Sequence, residues 1–108
     1  MGVLVATMRC QYLLNLKTDL EYKIQLITQA KMNLMSSNND LLQVGTDYDP
    51  ESPIVKTLQQ RQAKMKLLEQ KLDQQKEMYQ TQLQAVMTEY QSCSEMRRGE
   101  IQRAFSYH

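Results

Sequence analysis

The side chains able to do chemistry are few and far apart. Cys10 and Cys93 are the two thiols, His108 is the single imidazole, and Asp47, Asp49 and Glu51 form an alternating run of carboxylates. The cysteines fit no zinc or redox-motif spacing, so two reduced thiols acting as small apolar side chains are expected. A histidine at the last position has no held geometry and no serine or cysteine partner at catalytic spacing. The carboxylates invite a calcium reading, but the glycine and twelfth-position glutamate of a helix–loop–helix site are missing. An acidic, solvated turn is expected instead. With no glycine-rich phosphate loop and no paired Cys/His spacing, the sequence predicts no enzyme, no metal and no cofactor.

What the residues do specify is architecture. One ladder of apolar residues runs at seven-residue spacing through Ala6, Leu13, Leu20, Ile27, Leu34 and Leu41. A second runs through Leu58, Met65, Leu72, Tyr79, Val86 and Cys93. The two are mirror images about Asp49–Pro50, pairing 41 with 58, 34 with 65, and so on down to 6 with 93. A seven-residue repeat with three- and four-residue steps is the seam of a coiled coil. A mirror image of it across a turn describes a chain folded back on itself. The predicted fold is all-α: an antiparallel two-helix coiled-coil hairpin, one domain over 1–108. Its helices run over about 4–43 and 53–98, with a turn at 45–52 and a short amphipathic C-terminal tail.

Further rungs are expected at Leu16, Ile24 and Ala30 in the first helix and at Ile54, Leu68, Leu83, Tyr90 and Met96 in the second. Lys17 and Lys23 weaken the first seam, and Gln75 and Lys76 form a polar layer in the second. Gly45 is read as a left-handed C-cap. Pro50 disfavours helix at Asp49, Ser52 caps the second helix, and Pro53 suits its first turn. Gly99 is read as ending the regular helix. The mirror register brings Lys31 level with Glu69, Lys23 with Glu77, Asp40 with Arg61 and Arg9 with Glu89. It also sets Cys10 and Cys93 about one helical turn apart at the open end. A disulfide there would need Cα atoms within about 7 Å, closer than helices usually approach.

A net charge of +1 over 108 residues gives no field that argues for nucleic acid or an anionic membrane. Lys56, Arg61, Lys64, Lys66, Lys71 and Lys76 scatter around the second helix and are interrupted by Glu69 and Asp73. A solvated face is expected there, and nucleic-acid binding is a lower alternative. The opening residues meet Arg9 too early for a secretory signal or a membrane span. A cytoplasmic protein is the default, and export without a cleavable signal is compatible with it.

One seam uses only one stripe of each helix, while the whole length must be ordered. Tyr12, Tyr22, Leu26, Met35, Leu67, Met78 and Met87 fall off the seam, as does Met8, and Ile101 and Phe105 share a face of the tail beside Arg97, Arg98 and Arg103. A second interface is therefore expected, with methionines that suit an adaptable partner surface. The tail either packs back on the hairpin end or docks onto another helix. The predicted function is a non-enzymatic interaction or assembly module, self-associating or holding another helical protein as a chaperone or scaffold.

The turn Asp49-Pro50-Glu51-Ser52-Pro53 between two helices, with a closing Ile101-Gln102 and Phe105, is similar to the plan of type III secretion needle subunits. The hairpin plan also resembles small coiled-coil export chaperones. The likeness covers the turn and the last residues. Here the second helix is longer by about two heptads, an aromatic N-terminal segment is missing, and Phe105 sits one residue late. The resemblance implies packing into a helical assembly, with Pro50, Pro53, Ile101 and Phe105 the positions that carry over.

Overall fold

The computed structural model describes residues 2–106, so His108 lies outside the described residues. Two α-helices, α1 (Gly2–Thr46) and α2 (Pro53–Ser106), account for nearly all of it, with no strand among the described residues. They form an antiparallel hairpin. Two compact units divide it: the stretch ending at Ile24 with the stretch beginning at Tyr79, and Gln25–Met78.

In the first unit Cys10, Leu13, Leu20, Val86 and Cys93 are buried in one cluster, against which Leu16, Tyr79, Leu83 and Tyr90 pack. Arg9 reaches Glu89 at 3.4 Å across this pair of helix segments. Lys23 reaches Asp19 of its own helix at 3.0 Å and lies 5.7 Å from the centre of the Tyr79 ring. The hydrogen bond to Asp19 raises the Lys23 pKa.

The second unit is held more loosely. Ile27 is its one residue among the buried apolar ones; Leu34, Leu41, Leu58, Met65 and Leu72 are half-buried. Lys31 pairs with Asp73, and the hydrogen bond between them raises the Lys31 pKa, with Glu69 a lesser contributor. The charge partner of Lys31 is thus Asp73 and not the predicted Glu69. Asp40 and Arg61 line one groove but form no ion pair among the described residues.

The shift from Glu69 to Asp73 has a geometric cause. Rungs of the two ladders interleave instead of meeting level. A Cβ on Gly45 would lie 3.7 Å from Leu58 Cδ1, so Leu58 reaches beyond Leu41 toward the next turn. At the other end Cys93 sits between Ala6 and Cys10. Each knob entering a hole displaces the register by part of a turn, and long charged side chains follow it.

The second set of rungs differs from the apolar choices in the sequence. Leu16, Ile24, Leu83 and Tyr90 are half-buried, but Ala30, Ile54, Leu68 and Met96 are exposed. One residue beyond each exposed one stands the half-buried Lys31, Val55, Glu69 or Arg97. The seven-residue repeat is kept by the supercoil whatever residue falls on it, and much of this second ladder is polar: Lys17, Lys31, Asn38, Gln62, Glu69 and Lys76.

The helix ends also depart from expectation. No glycine or other described residue has positive φ, so Gly45 is no left-handed cap. The last turn of α1 closes instead through Thr46 Oγ1, which donates to Gln43 O at 2.7 Å, and through Asp47 N to Val44 O at 3.3 Å. Asp49 Oδ1 accepts from Glu51 N at 3.2 Å, and Ser52 Oγ accepts from Ile54 N at 3.3 Å as the cap of α2. Gly99 does not end α2. Strong helix formers on both sides and the Arg103–Glu100 pair at 3.2 Å carry the helix through it to Ser106.

Two substitutions separate packing from polarity in the seam. Leu20→Ala, at a side chain 4% exposed, is expected to cost about 2–4 kcal/mol in urea unfolding followed by circular dichroism. Asn38 Oδ1 is buried without a hydrogen-bond partner. Asn38→Leu is therefore expected to raise stability by about 1 kcal/mol in the same assay.

Candidate interaction surfaces

Val5, Met8 and Tyr12 follow one another at steps of three and four residues on α1, and Tyr22 continues the phase. Steps of this kind make a continuous stripe on one helix face. Because Ala6, Leu13 and Leu20 face the seam, the stripe looks outward. Its residues are exposed accordingly, Met8 at 65% and Tyr12 at 61%. Aromatic and thioether side chains at seam-like spacing suit a partner helix better than a compact ligand.

At the open end of the first unit, Val5, Ala6 and Arg9 of α1 and Glu89, Cys93, Met96 and Glu100 of α2 line a groove of about 450 Å³. The Arg9–Glu89 pair bounds it on one side. Glu100 lies so close to the first turn of α1 that a Cβ on Gly2 would stand 2.6 Å from its carboxyl carbon. A larger residue there would make the end of the flexible Glu100 side chain shift; as it stands the contact sets a negative charge beside a helix N-terminus, where the backbone dipole favours it.

Beyond Glu100, every residue from Ile101 to Ser106 is exposed while remaining helical, and Phe105 reaches 75%. The tail does not fold back on the hairpin end. Nor is it a separate element: it is the last turn and a half of α2.

The predicted partner face is placed as follows. Tyr12, Tyr22, Met87, Ile101 and Phe105 are exposed in the first unit, and Leu26, Met35, Leu67 and Met78 are exposed in the second. Residues passed over in the sequence are exposed as well: Leu4, Val5 and Met96 in the first unit, and Met32, Leu42, Val44, Ile54 and Leu68 in the second. For Leu4 and Val5 the signal was present, since Val5 leads the stripe that Met8 and Tyr12 continue. Of the predicted seam, Leu13, Leu20, Ile27 and Val86 are buried and Leu34, Leu41, Leu58, Met65, Leu72 and Tyr79 are half-buried.

Pro50 and Pro53 lie in the turn and at the first position of α2. The turn carboxylate of Asp49 is engaged by the backbone of Glu51, and no three His, Cys, Asp or Glu side chains among the described residues come together as a metal site would need. No described helix is long and apolar enough to cross a membrane.

No protein-family model, curated protein or solved structure matches the chain.

If the stripe and tail serve contacts outside the hairpin, they should matter little to its own stability. Met8→Ser and Phe105→Ser are each expected to change the unfolding free energy by less than about 0.5 kcal/mol at a protein concentration in the low micromolar range. A loss comparable to that of Leu20→Ala would return these side chains to the monomer core.

Proposed function

We propose that the chain is a non-enzymatic coiled-coil assembly module that associates with copies of itself through a second apolar face. The observation that carries this reading is the outward stripe of Val5, Met8, Tyr12 and Tyr22, which repeats on the solvent side of α1 the spacing that closes the seam. A stripe with seam spacing is complementary to another helix of the same kind, and a second copy supplies one. The helical end bearing Ile101 and Phe105 supports the same reading, because it offers an exposed apolar surface.

A second reading is supported by the exposure of Met32, Met35, Met78, Met87 and Met96. Flexible thioethers adapt to more than one partner, as a chaperone or scaffold holding a foreign helix would require. The likeness of the turn and tail to secretion needle subunits and export chaperones fits either role. It makes export-related assembly the first process to test.

Absolute mass by light scattering, across a hundredfold range of concentration under reducing conditions, distinguishes the two. Self-assembly predicts mass growing with concentration. Tyr12→Asp combined with Tyr22→Asp should then give a monomer that keeps a cooperatively melting helical spectrum. A wild-type monomer throughout the range would overturn self-association and leave the scaffold reading.

A further inference from the structure

Cys10 and Cys93 stand at the open end of the first unit, 1% and 8% exposed, with Cys93 between Ala6 and Cys10. Cys93 Sγ donates to Ala6 O at 3.4 Å. In an α-helix that carbonyl also accepts the backbone N–H of residue 10, so the Cys93 sulfur stands beside the Cys10 backbone. Cys10 is the leading cause of the raised Cys93 pKa, which agrees with the two thiols being neighbours. A sulfur at hydrogen-bonding distance from the turn of α1 that carries Cys10 is in the neighbourhood from which a disulfide, with Cβ atoms about 4 Å apart, can close. The small side chain of Ala6 allows this approach. Cys93 also lines the groove of about 450 Å³, which gives a reagent a path to one thiol while Cys10 lies behind it.

We propose that Cys10 and Cys93 form an oxidation site that closes into an intramolecular disulfide, stapling the open end of the hairpin. The oxidant is a low-molecular-weight disulfide. Cys93, reached through the groove, attacks as thiolate, forms a mixed disulfide and releases one small thiol. The Cys10 thiolate then displaces the second small thiol, and the Cys10–Cys93 bond forms. Two thiol protons and two electrons leave the protein, and the oxidant disulfide is reduced to two thiols. While reduced, the contact with Cys10, then burial, holds the Cys93 thiol above its ordinary range against the pull of Arg9 and Arg97. Cys93 therefore rests as a neutral thiol in the seam until an oxidant enters.

The inference is independent of how copies associate. Reduced wild-type protein at low micromolar concentration, treated with oxidised glutathione, should end as a monomer lighter by about 2 Da, the two hydrogens lost. It should have no free thiol and one peptide cross-link between positions 10 and 93. Its melting midpoint should rise by about 10 °C or more, because the staple closes most of the chain into one loop, and dithiothreitol should reverse the rise. Cys10→Ser should stop at the mixed disulfide of Cys93 with glutathione. The proposal is overturned if the wild type ends as a stable glutathione adduct, if it cross-links between chains, or if the folded protein stays unreacted while the denatured protein reacts.

Discussion

Everything in this molecule hangs on one apolar seam repeated every seven residues in two antiparallel helices. The repeat forces a three-and-four alternation of inward positions, and the supercoil holds that alternation even where the residue on it is a lysine or glutamate. Its quality changes along the chain. In the first unit the second ladder carries Cys10, Ile24, Leu83 and Tyr90 beside Lys17 and Arg97, and Cys10, Leu13, Leu20, Val86 and Cys93 bury together. In the second unit one ladder is largely polar, with Lys31, Asn38, Gln62, Glu69 and Lys76 on it, and of its residues Ile27 alone is among the buried apolar ones. Local stability follows buried apolar contact, so the first unit is the anchor and the second the region that opens more readily.

Much of the fold was legible because periodicity and turn chemistry are local. The ladder from Leu13 to Leu41 and its mirror from Leu58 to Val86 needed only spacing, and Ser52 and Pro53 announced the start of α2 by residue type. What escaped was set by the partner helix. Ala30, Ile54, Leu68 and Met96 looked like rungs because they are apolar, yet each lies one step off the strict repeat, and residue type misled where phase did not. Lys31 takes Asp73, one turn from the expected Glu69, while Arg9 keeps the expected Glu89. Both glycines expected to end helices are carried through: Gly45 lies where Thr46 can close the last turn, and Gly99 lies among strong helix formers.

The candidate surfaces were less legible for a related reason. An exposed side chain is defined by what does not cover it, and sequence spacing gives only the helix face. The outward stripe through Met8, Tyr12 and Tyr22 could be read because its phase opposes the seam. The tail could not, because packing back and projecting outward use the same residues. The structure decides it: Ile101 through Ser106 are helical and exposed among the described residues, while Glu100, just before them, lies against Gly2.

Small side chains at the open end tie these features together. Gly2 lets a carboxylate of α2 approach the first turn of α1, and Ala6 lets Cys93 reach a backbone carbonyl. Close approach of two helices brings the Cys93 thiol onto the backbone of α1, but it removes the bulk that would otherwise fill the space between flanking side chains. The groove lined by Val5, Ala6, Cys93 and Met96 is the volume left behind. The same choice of small residues thus accompanies both the approach of Cys93 to the turn that carries Cys10 and the opening that Cys93 lines. Larger aliphatic residues at these positions, as in the layers around Leu20, would have closed both.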